Sequence, residues 1–302
     1  MTDIETLKKR FSLLMLPVLL LIGEGMALLM VAPVQSTGVT AFQDPQSLNN
    51  PLIFLAIILV FTFLMLVLIR YRLNFIISAI IAFSVFFTFS FVALTLMSLF
   101  FGSTDAVALA SLGVAFAVTA LLYYYPEWYV IDTAGLLLVA GVGALFGTSI
   151  GLIPAIVLLI IMAVYDAVSV YGTKHMLNLA QGVVNLKLPS VLFIVPKKRD
   201  FSYRKMGLTG GLDIKGEKKG RDAYILGAGD IIIPSILVVS ARAFQSSLVP
   251  VAGAVLGSLV GMLILIRVLD SGKAQAGLPP LNTGAIIGFL VGCALVGSWG
   301  WI

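Results

Sequence analysis

Hydrophobic positions in this sequence form long runs that are separated by short polar breaks. Each run is at least about 18 residues long, enough for a helix to cross a hydrocarbon core about 30 Å thick. The pattern therefore predicts an all-α membrane protein, a bundle of nine transmembrane helices. The nine spans are expected near residues 11–32, 52–69, 73–100, 106–125, 132–150, 152–172, 222–243, 248–268 and 281–301.

Composition supports this class of protein. Hydrophobic residues make up 60% of the 302 residues and charged residues only 11%, against roughly 25% charged in soluble proteins. Cys293 is the single cysteine and lies in an apolar run, so no intramolecular disulfide framework can form. His175 is the single histidine, and one histidine cannot build a two-histidine zinc site. No metal and no cofactor is predicted.

Basic residues predict the orientation of the spans. With nine spans and Lys8, Lys9 and Arg10 inside, the connections on the inner side hold 18 of the 19 Lys and Arg residues. The outer side holds only Arg242. Because positive charge accumulates on the cytoplasmic side, the N-terminus is predicted inside and the C-terminus outside.

A single long polar segment divides the chain. We predict a six-helix portion over residues 1–172, a basic cytoplasmic loop over 173–221 and a three-helix portion over 222–302. Within the loop, residues 191–195 are β-prone and too short to span. This run is either an interfacial segment or a strand near a substrate path. The loop's lysines and arginines are expected to contact anionic lipid head groups, and nucleic acid is not an expected partner.

Glycines recur every four residues in three spans. This spacing places them on one helix face, where they let neighbouring backbones approach closely in a membrane. The prediction is tight packing within the bundle. The three sets are Gly143, Gly147, Gly151; Gly253, Gly257, Gly261; and Gly284, Gly288, Gly292.

Three carboxylates stand out well inside predicted spans, where an acidic side chain is costly and suggests a function. They are Glu24, Asp166 and Asp230. No motif surrounds Glu24, which is interpreted either as a structural group hydrogen-bonded within the bundle or as a functional one.

Asp166 and Asp230 are predicted at similar depths. The first lies about 9 Å from the inner end of its span and the second about 12 Å from the inner end of an antiparallel span. Two facing carboxylates tend to share one proton, since both cannot stay ionised together. Such a pair can activate water to attack a carbonyl, as in aspartic proteases, without metal or covalent intermediate.

Small residues and prolines mark the places where backbone could approach this pair. Gly227 and Gly229 leave no side-chain bulk beside Asp230. Pro279 and Pro280 precede the ninth span and cannot donate backbone hydrogen bonds.

These motifs resemble those of the presenilin and signal peptide peptidase family of intramembrane aspartyl proteases, most closely the compact archaeal presenilin homologues. The resemblance rests on Tyr165-Asp166, Gly227-Ala228-Gly229-Asp230 and Pro279-Pro280-Leu281, in this order on the sixth, seventh and ninth spans. It covers nearly the whole chain.

The resemblance implies an aspartic-type endopeptidase that cleaves transmembrane segments of other proteins, with Asp166 and Asp230 as the catalytic pair. It implies substrate contacts at Tyr165, at Gly227, Ala228 and Gly229, and at Pro279, Pro280 and Leu281. It also suggests that residues 218–224, together with 191–195, form a small sheet with the substrate. The chain departs from the family's third motif, usually Pro-Ala-Leu, at Pro280, and Asn282 stands where presenilins have another proline.

Two other functions stay open on the sequence. A prepilin or preflagellin peptidase also pairs an aspartate with a GxGD aspartate, but it usually has fewer spans and lacks the Pro-x-Leu element. A proton-coupled transporter or channel could relay protons through intramembrane carboxylates, although no repeat between the halves of the chain supports it.

The expected partners are the lipid bilayer and transmembrane substrates. A multi-pass protein of the cell membrane is predicted. A homo-oligomer is compatible with the sequence, and no feature of the sequence indicates an obligatory partner subunit.

Overall fold

The structure is a computed structural model of the chain. It describes residues 2–102, 104–172, 192–197, 201–206, 223–269 and 275–301. For 2–11, 205–206 and 268–269 it describes the backbone alone. His175 and most of the predicted basic loop lie outside these residues.

Helices account for most of the described chain. A short second helix follows the first one after a single residue, and a π-helical turn continues the helix that ends at Ala167. In chain order the helices are α1 (Thr2–Leu29), α2 (Val31–Thr37), α3 (Asn49–Arg70), α4 (Asn74–Phe101), α5 (Asp105–Tyr124), α6 (Trp128–Ser149), α7 (Leu152–Ala167) with a π-helical turn over Val168–Gly172, α8 (Tyr203–Met206), α9 (Ala228–Phe244), α10 (Val249–Leu269) and α11 (Leu278–Val296). The prediction of an all-α membrane bundle is confirmed.

Within the described chain, eight helical segments are long and apolar enough to cross a bilayer. The remaining predicted span, the seventh in chain order, corresponds to α9, which has 17 residues and covers about 25 Å. The predicted start of this span at residue 222 was wrong, because Ala223–Gly227 forms a strand before the helix. Gly227 is still extended, with φ −67° and ψ 137°, and precedes the first helical residue.

Other predicted boundaries also differ from the structure. Helix α6 begins at Trp128, four residues earlier than predicted, so that Asp132 lies one turn inside the helix and not at its first residue. Helix α11 begins at Leu278 and ends at Val296, where the prediction was 281–301. Its first turn accommodates the prolines because the N–H groups of a first turn have no partner within the helix.

Two short strands form an antiparallel pair. Strand β1 covers Leu192–Pro196 and strand β2 covers Ala223–Gly227, with Ile194 opposite Ile225 in the register. Of the two interpretations of the run 191–195, the structure therefore supports the strand. Of the residues 218–224 suggested for the sheet, Ala223 and Tyr224 lie in β2, and residues 218–222 lie outside the described chain.

The core is centred on α9, which packs against α1, α6, α7, α10 and α11. The glycine pattern is confirmed as close packing between α10 and α11. A Cβ atom on Gly257 would collide with the carbonyl oxygen of Gly284, and one on Gly288 with that of Gly253. Gly143 and Gly147 of α6 similarly make room for Ser235 and Val239 of α9.

Candidate active site

Asp166 lies at the C-terminal end of α7 and is buried, with 2% of its surface exposed. Its Oδ2 accepts the backbone N–H of Leu278 at 3.0 Å, and its carboxylate also accepts the N–H of Gly277. These two donors begin α11, where backbone N–H groups lack partners within the helix. The N-terminus of α11 therefore contributes its free donors to Asp166.

Asp230 lies in the first turn of α9 and is half-buried. Its carboxylate accepts the backbone N–H of Gly227 and is close enough to Asp166 to interact with it electrostatically. Strand β2 and helix α9 thus place Asp230 at a strand-to-helix turn. The structure brings together the two carboxylates for which the sequence predicted similar depths.

Gly277 contacts both carboxylates. Its N–H donates to Asp166. On its other side, a Cβ atom would lie 2.8 Å from Cγ and Oδ2 of Asp230, closer than real Cβ contacts allow. The sequence motifs did not indicate that Gly277 and Leu278 belong to the site. The signal that could have found Gly277 is a glycine directly before a helix that starts with two prolines.

The Pro-x-Leu residues lie in the first turn of α11. Pro279 and Pro280 are half-buried, whereas Leu281 is fully buried and packs in the same hydrophobic cluster as Ile231 of α9. Leu281 therefore contributes to the core behind the site, and the two prolines keep exposed surface near it.

Asn282, which departs from the family motif, has a defined structural partner. Its side chain is fully buried and its Nδ2 donates to the carbonyl oxygen of Leu159 on α7 at 2.8 Å. Among the described residues, Oδ1 of Asn282 has no hydrogen-bond partner. Asn282 thus links α11 to the helix that carries Asp166, a bond that proline could not make.

A second link holds the segment before α11 and was not predicted. The hydroxyl of Tyr171, in the π-helical turn after Asp166, donates to Oε1 of Gln275 at 2.6 Å. The same hydroxyl accepts the N–H of Ala276 at 3.3 Å. The chain that leads to Gly277 is therefore held on the same helix as Asp166.

The remaining predicted substrate residues lie around this centre. Ala228 is buried, while Gly229 is exposed and a Cβ atom there would meet nothing within 4 Å. Tyr165 is half-buried, and its hydroxyl lies 3.4 Å from Oγ1 of Thr62 on α3. Gly229 thus leaves open space next to Asp230.

Glu24 belongs to a separate polar contact. It is fully buried in α1, and its Oε1 accepts a hydrogen bond from Oγ of Ser258 on α10 at 2.7 Å. This contact agrees with the interpretation of Glu24 as a structural group within the bundle. In the described part of the chain, no group of three or more His, Cys, Asp and Glu side chains is arranged to hold a metal ion.

Fold and site together define a multi-pass membrane protein with two carboxylates in contact with one backbone segment inside its helical bundle. The sequence model of the family described as "Signal-peptide peptidase, presenilin aspartyl protease" matches residues 17–298. The chain belongs to this family, and it is an intramembrane aspartyl protease. The prepilin-type peptidase and transporter interpretations are thereby set aside.

Two solved structures are similar to this chain over nearly its whole length. Both are of a presenilin family intramembrane aspartate protease, in the C222 and P2 space groups. The first is 42% identical, covers 94% of this chain and 99% of its own, and has a TM-score of 0.69. The second is 44% identical, covers 92% and 96%, and has a TM-score of 0.67. No curated protein sequence matches the chain.

Proposed function

We propose that Asp166 and Asp230 are the catalytic dyad of this protease. The observation that supports this assignment is the Gly277–Leu278 backbone, which bonds to one carboxylate and lies against the other. A segment shared in this way fixes the spacing of two acidic groups that would otherwise repel each other. Fixed spacing between acid and base is what a water-activating pair requires.

The dyad holds one proton between its two carboxyl groups. The ionised carboxylate takes a proton from water as the water oxygen attacks the scissile carbonyl carbon, and the protonated group donates its proton to the carbonyl oxygen. A tetrahedral diol results. Its collapse breaks the C–N bond, and the amine leaves after accepting a proton from the dyad. No metal or cofactor takes part.

The sheet offers a place for an unwound substrate. In an antiparallel pair, the N–H and C=O of a residue point to the same edge, and opposite residues share this orientation. The N–H of Ile194 points away from β2, because it donates to Asp132. The backbone of Ile225, opposite Ile194, therefore points away from β1. Within the described chain, nothing bonds to it there.

We propose that a substrate strand pairs with this open edge of β2. The edge leads directly to Asp230, since Gly227 ends the strand and donates its N–H to that carboxylate. Pairing would satisfy the backbone groups of a substrate helix that unwinds inside the protein. Gly229, Pro279 and Pro280 line the approach, and Tyr165 borders it.

The proposal includes the setting of the enzyme. The substrates are transmembrane segments of other proteins, bound within the lipid bilayer of the cell membrane. The basic residues favour an inside N-terminus and an outside C-terminus. Both aspartates and the backbone segment that contacts them come from one chain, which favours an enzyme without an obligatory partner subunit.

Cleavage of a labelled single-span reporter in liposomes tests the dyad. Wild type is compared with Asp166→Asn, Asp230→Asn and the control Asp105→Asn, which changes an acidic residue in the first turn of α5. Each dyad variant should lower kcat by at least about 100-fold, the usual contribution of a general acid or base. The control should cut normally, and EDTA should not inhibit the wild type.

Melting temperatures show whether the inactive variants are folded. If a folded Asp166→Asn or Asp230→Asn protein cuts the reporter at the wild-type rate, the dyad assignment is wrong.

A further inference from the structure

Strand β1 has an occupied outer edge. The N–H of Ile194 donates to Oδ1 of Asp132 on α6 at 2.7 Å, and Oγ of Ser12 on α1 donates to the carbonyl oxygen of Pro196 at 2.8 Å. Ile194 and Pro196 are two residues apart, so their backbone groups point to the same edge. Two side chains from two different helices thus bond to the edge of β1 that faces away from β2.

The faces of β1 are enclosed as well. Phe193, Ile194 and Val195 are fully buried. Gly135, one helical turn after Asp132 on α6, makes room for the ring of Phe193, because a Cβ atom there would lie 2.9 Å from Cε1. Helix α6 therefore contacts the strand in two ways. Asp132 accepts a hydrogen bond from its backbone, and Gly135 leaves space for the ring of Phe193.

Burying a carboxylate at position 132 costs more free energy than a merely structural contact would require. Asp132 is 5% exposed, and among the described residues its Oδ2 has no hydrogen-bond partner. An acidic group inside a membrane bundle is retained where its chemistry is used. Here the carboxylate acts as a hydrogen-bond acceptor. It binds the N–H of Ile194 at the edge of β1, where an unpaired N–H could otherwise bond to another chain.

We infer that Asp132 is a positioning residue which, with Ser12, closes the outer edge of β1 and fixes the sheet so that one bond of the substrate reaches the dyad. The inference rests on the proposed function. With β1 closed, a substrate strand can pair only with β2. Since β2 continues into Gly227 and Asp230, a slip of one residue, about 3.3 Å, would bring a different peptide bond to Asp230.

The test measures where the reporter is cut as well as how fast. Purified wild type, Asp132→Leu, Asp132→Asn and Ser12→Ala cleave the same single-span reporter, and mass spectrometry identifies the products. Thr133→Val is the matched control, because the Thr133 hydroxyl donates to the carbonyl oxygen of Tyr129 within the same helix.

Asp132→Leu should lower kcat/KM at the main bond at least tenfold and add cuts at neighbouring bonds. Asp132→Asn keeps an acceptor oxygen for Ile194 and should retain the wild-type cleavage site within about twofold in rate. Ser12→Ala should add the same neighbouring cuts at lower yield, and Thr133→Val should change nothing.

A merely structural role would lower the melting temperature of Asp132→Leu and leave the cleavage site of the folded enzyme unchanged, which would overturn the inference. Asp132→Asn cutting like Asp132→Leu would also overturn it, since the acceptor would then be irrelevant. If Asp132→Leu does not fold, Ser12→Ala decides: a single unchanged cut contradicts the inference. Failure of the dyad assignment is separate, because it would show as cleavage by Asp166→Asn or Asp230→Asn.

Discussion

Helices α3 and α5, on one side of the bundle, differ from α9, on the other side, in how much of their side-chain surface is buried. Helix α3 is the most hydrophobic candidate span, yet it is the least buried, and Phe63 is 70% exposed. Phe116 of α5 is 69% exposed. In contrast, Ile236 to Val239 of α9 are fully buried, and so are Ser235 and Ser240. The most hydrophobic candidate span, α3, is thus largely exposed, and α9 with its buried serines forms the core.

This difference shows which features make helices pack closely around the site. In a bilayer, hydrophobic surface alone gives no preference for the interior, because lipid tails are equally apolar. Small residues and paired polar groups decide which helices pack closely. The α6, α7, α9, α10 and α11 side has both, and it carries both aspartates. Substitutions that remove these features should therefore have large effects there and small effects in α3 to α5.

The largest effect is expected at the crossing of α10 and α11. Gly257→Val would place side-chain atoms on the carbonyl oxygen of Gly284 and force the helices apart. We expect a loss of at least ~3 kcal/mol in stability and no reporter cleavage. Gly113→Val in α5 is the control, because a Cβ atom there meets nothing within 4 Å. Equal melting temperatures for the two variants would show that close glycine packing does not distinguish the α10–α11 crossing from α5.

Gly277→Ala should separate activity from stability. Its Cβ atom would press on Cγ of Asp230 from 2.8 Å and displace that carboxylate. Displacing a reacting group by about 1 Å costs on the order of 100-fold in rate, so kcat should fall by this amount with little change in melting temperature. Gly25→Ala, where a Cβ atom has free space, should keep full activity. Wild-type kcat in Gly277→Ala would show that Gly277 does not set the dyad.

Asn282→Leu should have an intermediate effect. The change removes the hydrogen bond to Leu159 that links α11 to α7. We expect a loss of about 1 kcal/mol in stability and roughly tenfold lower kcat, because the N-terminus of α11 would no longer be held beside Asp166. The control is Ser90→Ala in α4, whose hydroxyl bonds to Phe86 of its own helix. If both variants unfold and cut alike, the link contributes nothing to the site.

The smallest effect is expected at the contact between the two sides. Thr62→Val removes the 3.4 Å contact between Thr62 of α3 and the Tyr165 hydroxyl. A long, half-exposed hydrogen bond contributes no more than ~0.5 kcal/mol, so kcat/KM should change by no more than about twofold. Thr88→Val, which affects a bond within α4 only, serves as the control. A tenfold loss in Thr62→Val alone would mean that α3 belongs to the active site.

Much of the bundle was predictable from the sequence. Eight of the predicted spans appear as candidate membrane-crossing segments in the described chain, because a long apolar run in a bilayer must satisfy its backbone as a helix. The approach of Asp166 to Asp230 was predicted from helical rise, although the helix that was expected to begin at residue 222 begins at Ala228. The start of α9 was not predictable, since residues 223–227 are as apolar as the helix that follows.

Individual residues mark the limit of sequence reasoning. Asp132 was placed at the edge of its predicted span, because the charged break at Glu127 to Asp132 resembles a loop when only polarity is considered. In the structure it lies inside α6 and bonds to Ile194. Gly277 and Tyr171 were not predicted as part of the site, because their partners lie in segments that are far away in sequence.

The sequence alone established that this chain is a helical membrane protein and indicated which two aspartates come together, because helix length and rise are local properties of the backbone. It also determined where helices could pack closely, since glycine spacing fixes which face is small. Only the tertiary structure decided that the start of α11 bonds to Asp166, that β1 is closed by Asp132 and Ser12, and that β2 has the open edge. These features depend on how distant segments meet, and no local pattern encodes that meeting.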